Sequence, residues 1–264
     1  MINDIPFLRT HSYFGFLESL ISPEELVRFG VINGIRTLGL TDHRYLTGAL
    51  DFYEACQSAG IKPIVGLEID LVYRGYTGIL TFLAKDRRGW SNLSRLSSLM
   101  LVENRPLTMN DIRENHTGLF CVAGDQRGLL RELLLKSPTS LNFPDSYLLD
   151  LKSIFQDNFF LEIQRYPDGP LRNENVLIDL ANYHQLRIIA TQNIFYGEPG
   201  ERPHLQTLSA IRQNTSLEQV KKEGYSFKQS HFPSIEEFSH RFRDIPEAVE
   251  NLAIINKNCN YSGK

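Results

Sequence analysis

Cysteine is scarce: Cys56, Cys121 and Cys259 are the only three in 264 residues. They are too scattered for a C-x-x-C motif and too few for a disulfide framework, so they read as reduced, buried thiols. A basic excess is also missing, since 28 Lys and Arg against 31 Asp and Glu leave a formal charge of −3. Without a basic field the chain is not expected to grip a nucleic-acid backbone unaided, and any contact with DNA is indirect. No apolar run approaches the ~20 residues of a bilayer span. Met1-Ile2-Asn3-Asp4 places no basic leader ahead of an apolar stretch. The expectation is a cytoplasmic protein with no membrane partner. A phosphate-cradling Gly-rich loop and a Gly-x-Ser-x-Gly elbow are absent too, which removes P-loop and serine-hydrolase chemistry.

What is present is an ordinary core-forming composition, 42% hydrophobic and 22% charged, arranged as short apolar runs separated by helical stretches. The runs are Ile5 to Arg9, Thr37 to Leu40, Ile61 to Ile69, Ile79 to Ala84, Leu119 to Ala123, Phe159 to Ile163 and Arg187 to Ala190. Ser22-Pro23-Glu24-Glu25 supplies a cap, a first-turn proline and a capping-box carboxylate, predicting a helix from Pro23 to Asn33 that stops at Gly34. Further helices are predicted over Leu46 to Ala59, Arg87 to Met100, Asp125 to Leu135, Ser146 to Phe155 and Asn173 to His184, with a short one after Thr108. Ser137 to Pro144 and Tyr196 to Pro203 read as loops.

This alternation favours an α/β barrel of parallel strands over residues 1–200. Residues 201–264 read as a helical appendix packed on the barrel, with helices over His204 to Gln213, Ser234 to Phe242 and Pro246 to Lys257. Asp86-Arg87-Arg88 reads as a solvated helix start, Lys221-Lys222 as a surface turn, and Trp90, Tyr76 and Phe82 as packing groups.

His11, His43 and Glu68 stand at the ends of apolar runs, where parallel α/β folds collect their chemistry. Neutral imidazole and carboxylate are ligands for zinc or manganese. Three stretches carry a resemblance: Phe7-Leu8-Arg9-Thr10-His11-Ser12-Tyr13, Leu40-Thr41-Asp42-His43, and Gly60-Ile61-Lys62-Pro63-Ile64-Val65-Gly66-Leu67-Glu68. Leu83-Ala84-Lys85, Gly118-Leu119 with Gly124, Phe160-Leu161-Glu162-Ile163-Gln164, Ala190-Thr191-Gln192-Asn193 and Asp244-Ile245-Pro246-Glu247-Ala248 follow in the same order. Together they resemble the polymerase and histidinol phosphatase (PHP) domain, specifically the copy that begins the α subunit of bacterial DNA polymerase III.

The resemblance implies a distorted seven-stranded (β/α) barrel and, in members with an intact site, a metal cluster that hydrolyses phosphoesters. His11, Glu18, His43, Glu68 and Asp125 fall on ligand positions, Glu18 where an Asp is usual and Asp125 where a Cys or His is. Asp42 falls behind them as a supporting acid. Arg9, Ile79, Asn193 and Phe195 stand where the family has ligands. A guanidinium at Arg9 repels a divalent ion, and it pairs instead with Glu18 or Glu68.

The implied function is a degenerate, non-catalytic PHP domain without a cofactor. It acts as a structural and docking module in DNA replication and does not synthesise DNA alone. Its implied partners are polymerase core domains in cis or a proofreading exonuclease in trans. The alternative is a metal-dependent phosphoesterase with zinc or manganese at a partial site, acting as a 3′-5′ exonuclease or on pyrophosphate or nucleotides.

Overall fold

Local signals fix most of the elements. The computed structural model describes residues 4–136, 142–222 and 229–260. The first helix, α1, spans Pro23–Ile32, with the Ser22/Glu25 capping box formed and Asn33 as its C-cap. Strand β1, Thr37–Leu40, leads to α2, Ala49–Ala59, which ends on Gly60 at φ 68°. The left-handed backbone there is the reason for glycine.

Strands β2, Lys62–Tyr73, and β3, Tyr76–Ala84, follow with no helix between them. Then come α3, Arg87–Val102, capped by Asp86, and α4, Met109–Asn115, where Thr108 and Asp111 form a capping box. Strand β4, Leu119–Ala123, is followed by α5, Leu129–Lys136, and α6, Asn142–Phe155. Strand β5, Phe159–Tyr166, turns into the two-residue β6, Gly169–Pro170. Helix α7, Glu174–Tyr183, returns to β7, Arg187–Thr191.

The result is an α/β fold built on a mixed sheet that curls into a half-barrel. Strands β1 and β2, β4 and β5, and β5 and β7 pair in parallel, but β3 runs antiparallel to both β2 and β4. The all-parallel expectation fails here because Arg74 and Gly75, at φ 51° and 85°, make a two-residue turn that joins β2 and β3 as a hairpin. Turns with positive φ at both central residues match the twist of paired strands.

The stretch read as the first strand forms isolated bridges rather than a ladder: Phe7 pairs with Leu38 and Thr10 with Ile194. Gly66 is needed where β2 approaches β3, since a Cβ there would lie 2.5 Å from the Phe82 carbonyl oxygen.

Past β7, a 3₁₀ turn at Pro199–Glu201 opens α8, Arg202–Arg212, where a loop up to Pro203 was expected. Helix α9, Leu217–Lys222, takes in Lys221, expected in a turn. Helix α10 spans Ile235–Arg241 with a Ser234/Glu237 capping box. The last expected helix divides at Asn251 into α11, Pro246–Glu250, and α12, Leu252–Asn258.

Of the expected loop from Ser137, residues 137–141 lie outside the described residues, while Pro144 sits in the first turn of α6, where its missing N–H costs nothing. The main core joins Phe52, Phe82, Leu96 and Phe160 to Phe242, Leu252 and Ile255 from the last helices, so strands and C-terminal helices share one interior. The three thiols are buried and free. No described helix is long and apolar enough to cross a membrane.

Candidate functional site

Alternation along the N-terminal segment turns Arg9 and His11 to the same side, and both are 1% exposed. The same period of two presents Glu68 and Asp70 from β2, and Glu162 and Gln164 from β5. Glu68 pairs in register with Thr81 of β3. Asp42 and His43 leave β1, Asp125 follows β4, and Asn193 and Phe195 follow β7. Glu18 comes from the turn after His11, held by the Ser19 hydroxyl donating to the His11 carbonyl at 2.6 Å. The structure therefore brings His11, Glu18, His43, Glu68, Asp125, Arg9, Asn193 and Phe195 to one pocket.

Arg9 is the hub of its deep layer. Its guanidinium meets Glu68 at 2.8 Å and Glu162 at 3.4 Å, and also pairs with Asp125. It donates further to the Thr81 hydroxyl and, at 3.2 Å, to the Asn193 amide oxygen. Of the two partners expected from the sequence, Glu68 is met and Glu18 is not.

Glu18 is instead held by Arg127 at 3.2 Å, Arg212 at 2.6 Å and the Nδ1 of His43 at 3.0 Å. Arg127 also donates to Glu68 at 2.7 Å and lies over the Phe195 ring, 5.3 Å from its centroid. His43 Nε2 pairs with Asp70 at 2.9 Å, and His11 Nε2 pairs with Glu68 at 2.9 Å. The His11 ring stacks on Phe195 at 4.3 Å. Ile79 sits opposite Asp70 in the β2–β3 ladder, its N–H bonded to the Arg127 carbonyl at 3.1 Å.

Asp42 accepts from the Ser12 N–H at 2.6 Å and the Ser12 hydroxyl at 2.5 Å. Asp125 accepts from the Arg127 N–H at 2.6 Å and the Asn193 amide at 2.7 Å. That engagement delays the helix expected from Asp125 until Leu129, because Asp125 serves the pocket and a turn rather than a helical first turn.

Burial opposes every charge here, and the partners decide the outcome. Burial alone would raise Glu68, but Arg127, His11 and Arg9 bring it down to about 2. Asp125 is likewise held below the carboxylate range by Arg9 and Arg127 against its burial. Glu18 is held low by Arg127 and His43, again against burial. Glu162 goes the other way: burial pushes it up to about 7, and its Oε1 has no hydrogen-bond partner among the described residues. Burial also pushes Asp42 up to about 7 despite its two bonds from Ser12.

Burial would lower His43, but its bonds to Asp70 and Glu18 raise it to about 9. A raised imidazole pKa adds stability that is full below the unfolded value near 6.5 and is lost as pH rises through about 9. Thermal melting across that window should show this loss in the parent chain and not in His43→Gln. Parallel pH profiles for the two would contradict it.

The carboxylates a cation would use are therefore already paired with guanidinium groups of the chain itself, and the two imidazoles are bonded to carboxylates. Among the described residues, no group of three or more His, Cys, Asp or Glu is arranged to hold a metal ion. Arg127, Arg212, Asp70 and Glu162 went unnoticed as site residues in the sequence. Glu162 had a usable signal, a charge inside the apolar run Phe159 to Ile163, and Asp70 a weaker one, two residues on from Glu68 at the end of its run, while Arg127 and Arg212 had none. A surface groove of about 530 Å³ beside α3, floored by Leu99 and Val102, shares no lining residue with the pocket.

A family model described as the PHP domain matches residues 8–166. The DNA polymerase III subunit alpha of Buchnera aphidicola is 29% identical over 97% of this chain and 23% of its own length. That of Chlamydia muridarum is 27% identical over 96% of the chain and 24% of its own. The chain thus spans about a quarter of the length of the curated relatives it matches. Two solved structures share the fold at a TM-score of 0.51, each over 72% of this chain. One is an amidohydrolase from Chromobacterium violaceum with bound sulfate and no metal, 14% identical and covered over 87%. The other is a two-domain protein from Bacteroides vulgatus containing a predicted PHP-like metal-dependent phosphoesterase, 16% identical and covered over 52%.

Proposed function

Because the chain belongs to the PHP domain family, we propose that it is a catalytically silent PHP domain serving a DNA polymerase III α-like protein as a structural and docking module. The observation that carries this reading is the pair of guanidinium groups, Arg9 and Arg127, lodged among Glu18, Glu68, Asp125 and Glu162.

A divalent cation does not fit that donor set. At ~4 Å a guanidinium repels it by several kcal/mol even at an effective dielectric near 20. The vestigial ligands Glu18, Glu68 and Asp125 are held by ion pairs instead, His11 is hydrogen-bonded to Glu68, and both His43 nitrogens are taken by carboxylates. Ile79 and Phe195 offer no lone pair, and Asn193 offers only an amide oxygen, already accepting from Arg9.

We read residues 1–200 as the distorted seven-stranded barrel, the segment around Phe7 and Thr10 lying between β1 and Ile194 as its seventh stave. Residues 201–264 form its helical appendix. The named relatives support a place in the replication machinery of the cytoplasm. There the domain would brace polymerase core domains in cis or dock a proofreading exonuclease in trans. The net charge of −3 favours contact with DNA through those partners rather than directly.

The test is hydrolysis of a phosphate monoester, a DNA 3′ end and pyrophosphate by the purified chain with manganese or zinc. The expected rate equals that of a His43→Ala variant. Chelator-sensitive turnover that His43→Ala abolishes would establish the phosphoesterase in its place.

A further inference from the structure

We propose that α8 is a detachable strap clamped over the Phe195 side of the pocket. Its grip is separate from the main core. Leu205 and Leu208 pack in a small satellite cluster with Leu20, Phe195 and Tyr196, distinct from the interior that joins the strands to the last helices. At the far end of the helix, Arg212 reaches Glu18 at 2.6 Å. Arg212 is 27% exposed, so water weakens this pair.

Two polar side-chain atoms of α8 itself are buried at a cost. Ser209 Oγ and Arg202 Nε have no hydrogen-bond partner among the described residues. A buried donor left unmade penalises the closed position and would be relieved by water once the helix lifts. The root, by contrast, is fixed. A Cβ at Gly197 would lie 2.1 Å from the Phe29 ring, and the Gly197 N–H is bonded to Glu201 at 2.9 Å.

A helix with a fixed root, a satellite cluster and a screened ion pair forms its own low-stability opening unit. Lifting it uncovers Leu20, Phe195 and Tyr196 as an apolar floor and releases one partner of Glu18 beside it. This inference does not depend on whether the pocket holds a metal.

Hydrogen exchange on the full chain tests it. Amides of α8 should exchange faster than those of β5 and β7. Arg212→Ala should speed α8 by roughly fivefold while leaving β5 and β7 unchanged. Alanine is the better helix former, so a faster rate cannot come from propensity. Ser209→Ala, which removes the unpartnered hydroxyl, should slow the same amides. Exchange of α8 in step with β5 and β7, no change in Arg212→Ala, or unchanged or faster exchange in Ser209→Ala would each overturn the strap.

Discussion

Replacing Arg9 with methionine should cost about 3–5 kcal/mol and lower the melting temperature by roughly 10 °C. Methionine fills similar volume, so the loss is electrostatic rather than a cavity. It takes from Asp125 its leading cationic partner and from Glu162 the guanidinium it pairs with, in a pocket where all are buried, while Glu68 and Asp125 keep Arg127. Breaking a buried pair from one side leaves an uncompensated charge, which is why the effect exceeds that of a surface salt bridge.

The pH dependence gives the sign. In the parent chain, Glu68 sits near 2 and Asp125 below the usual range. Their pairing therefore adds stability above the unfolded carboxylate values near 4.5 and 3.8, and that stability is lost as pH falls. The variant lacks the part that Arg9 supplies, the leading one at Asp125 but third at Glu68 after Arg127 and His11, so the gap between the two melting temperatures should narrow on acidification. A gap that stays constant from neutral to acid pH would mean that Arg9 acts by packing alone.

Much of the fold was legible because the signals are local. Ser22-Pro23-Glu24-Glu25, Thr108 with Asp111, and Gly60 each determine a helix end within a few residues, and those ends form as expected. The direction of β3 was harder. The stretch from Asp70 to Gly78 is too short for a parallel crossover, but the apolar runs around it look like any others until Arg74-Gly75 is seen as a turn. The Leu217–Lys222 helix was hidden in a polar stretch with little apolar periodicity.

In the pocket, the resemblance drew attention to Arg9, His11, His43 and Glu68 by position. It did not reveal Arg127 or Arg212, because nothing local distinguishes a surface arginine from one that folds across 109 or 194 residues onto Glu18. Long-range ion pairs are set by topology, and the topology was the part least visible in the sequence.

A chain carrying Arg9→His with Arg127→Ala should bind manganese at least about a thousandfold more tightly than its parent, the factor expected from removing ~4 kcal/mol of repulsion. The exchange frees Glu68 and Asp125 from both guanidinium groups and restores an imidazole at position 9. Glu18 keeps Arg212 and His43, and Asn193 and Phe195 stay poor donors, so binding should appear without efficient turnover. Calorimetric titration reads the affinity, and a melting temperature that climbs with manganese concentration reads it independently. Arg127→Ala alone removes one cation and should give a smaller gain in a better-folded protein. If both variants fold and neither binds manganese better than the parent, the guanidinium groups are not what keeps metal out.

The most direct measurement is anomalous scattering from crystals of the unaltered chain soaked in zinc or manganese. The account predicts no peak between His11, His43 and Glu68, with Arg9 still bonded to Glu68 and Asp125. A multinuclear peak at that position, with Arg9 withdrawn from both carboxylates, would contradict it.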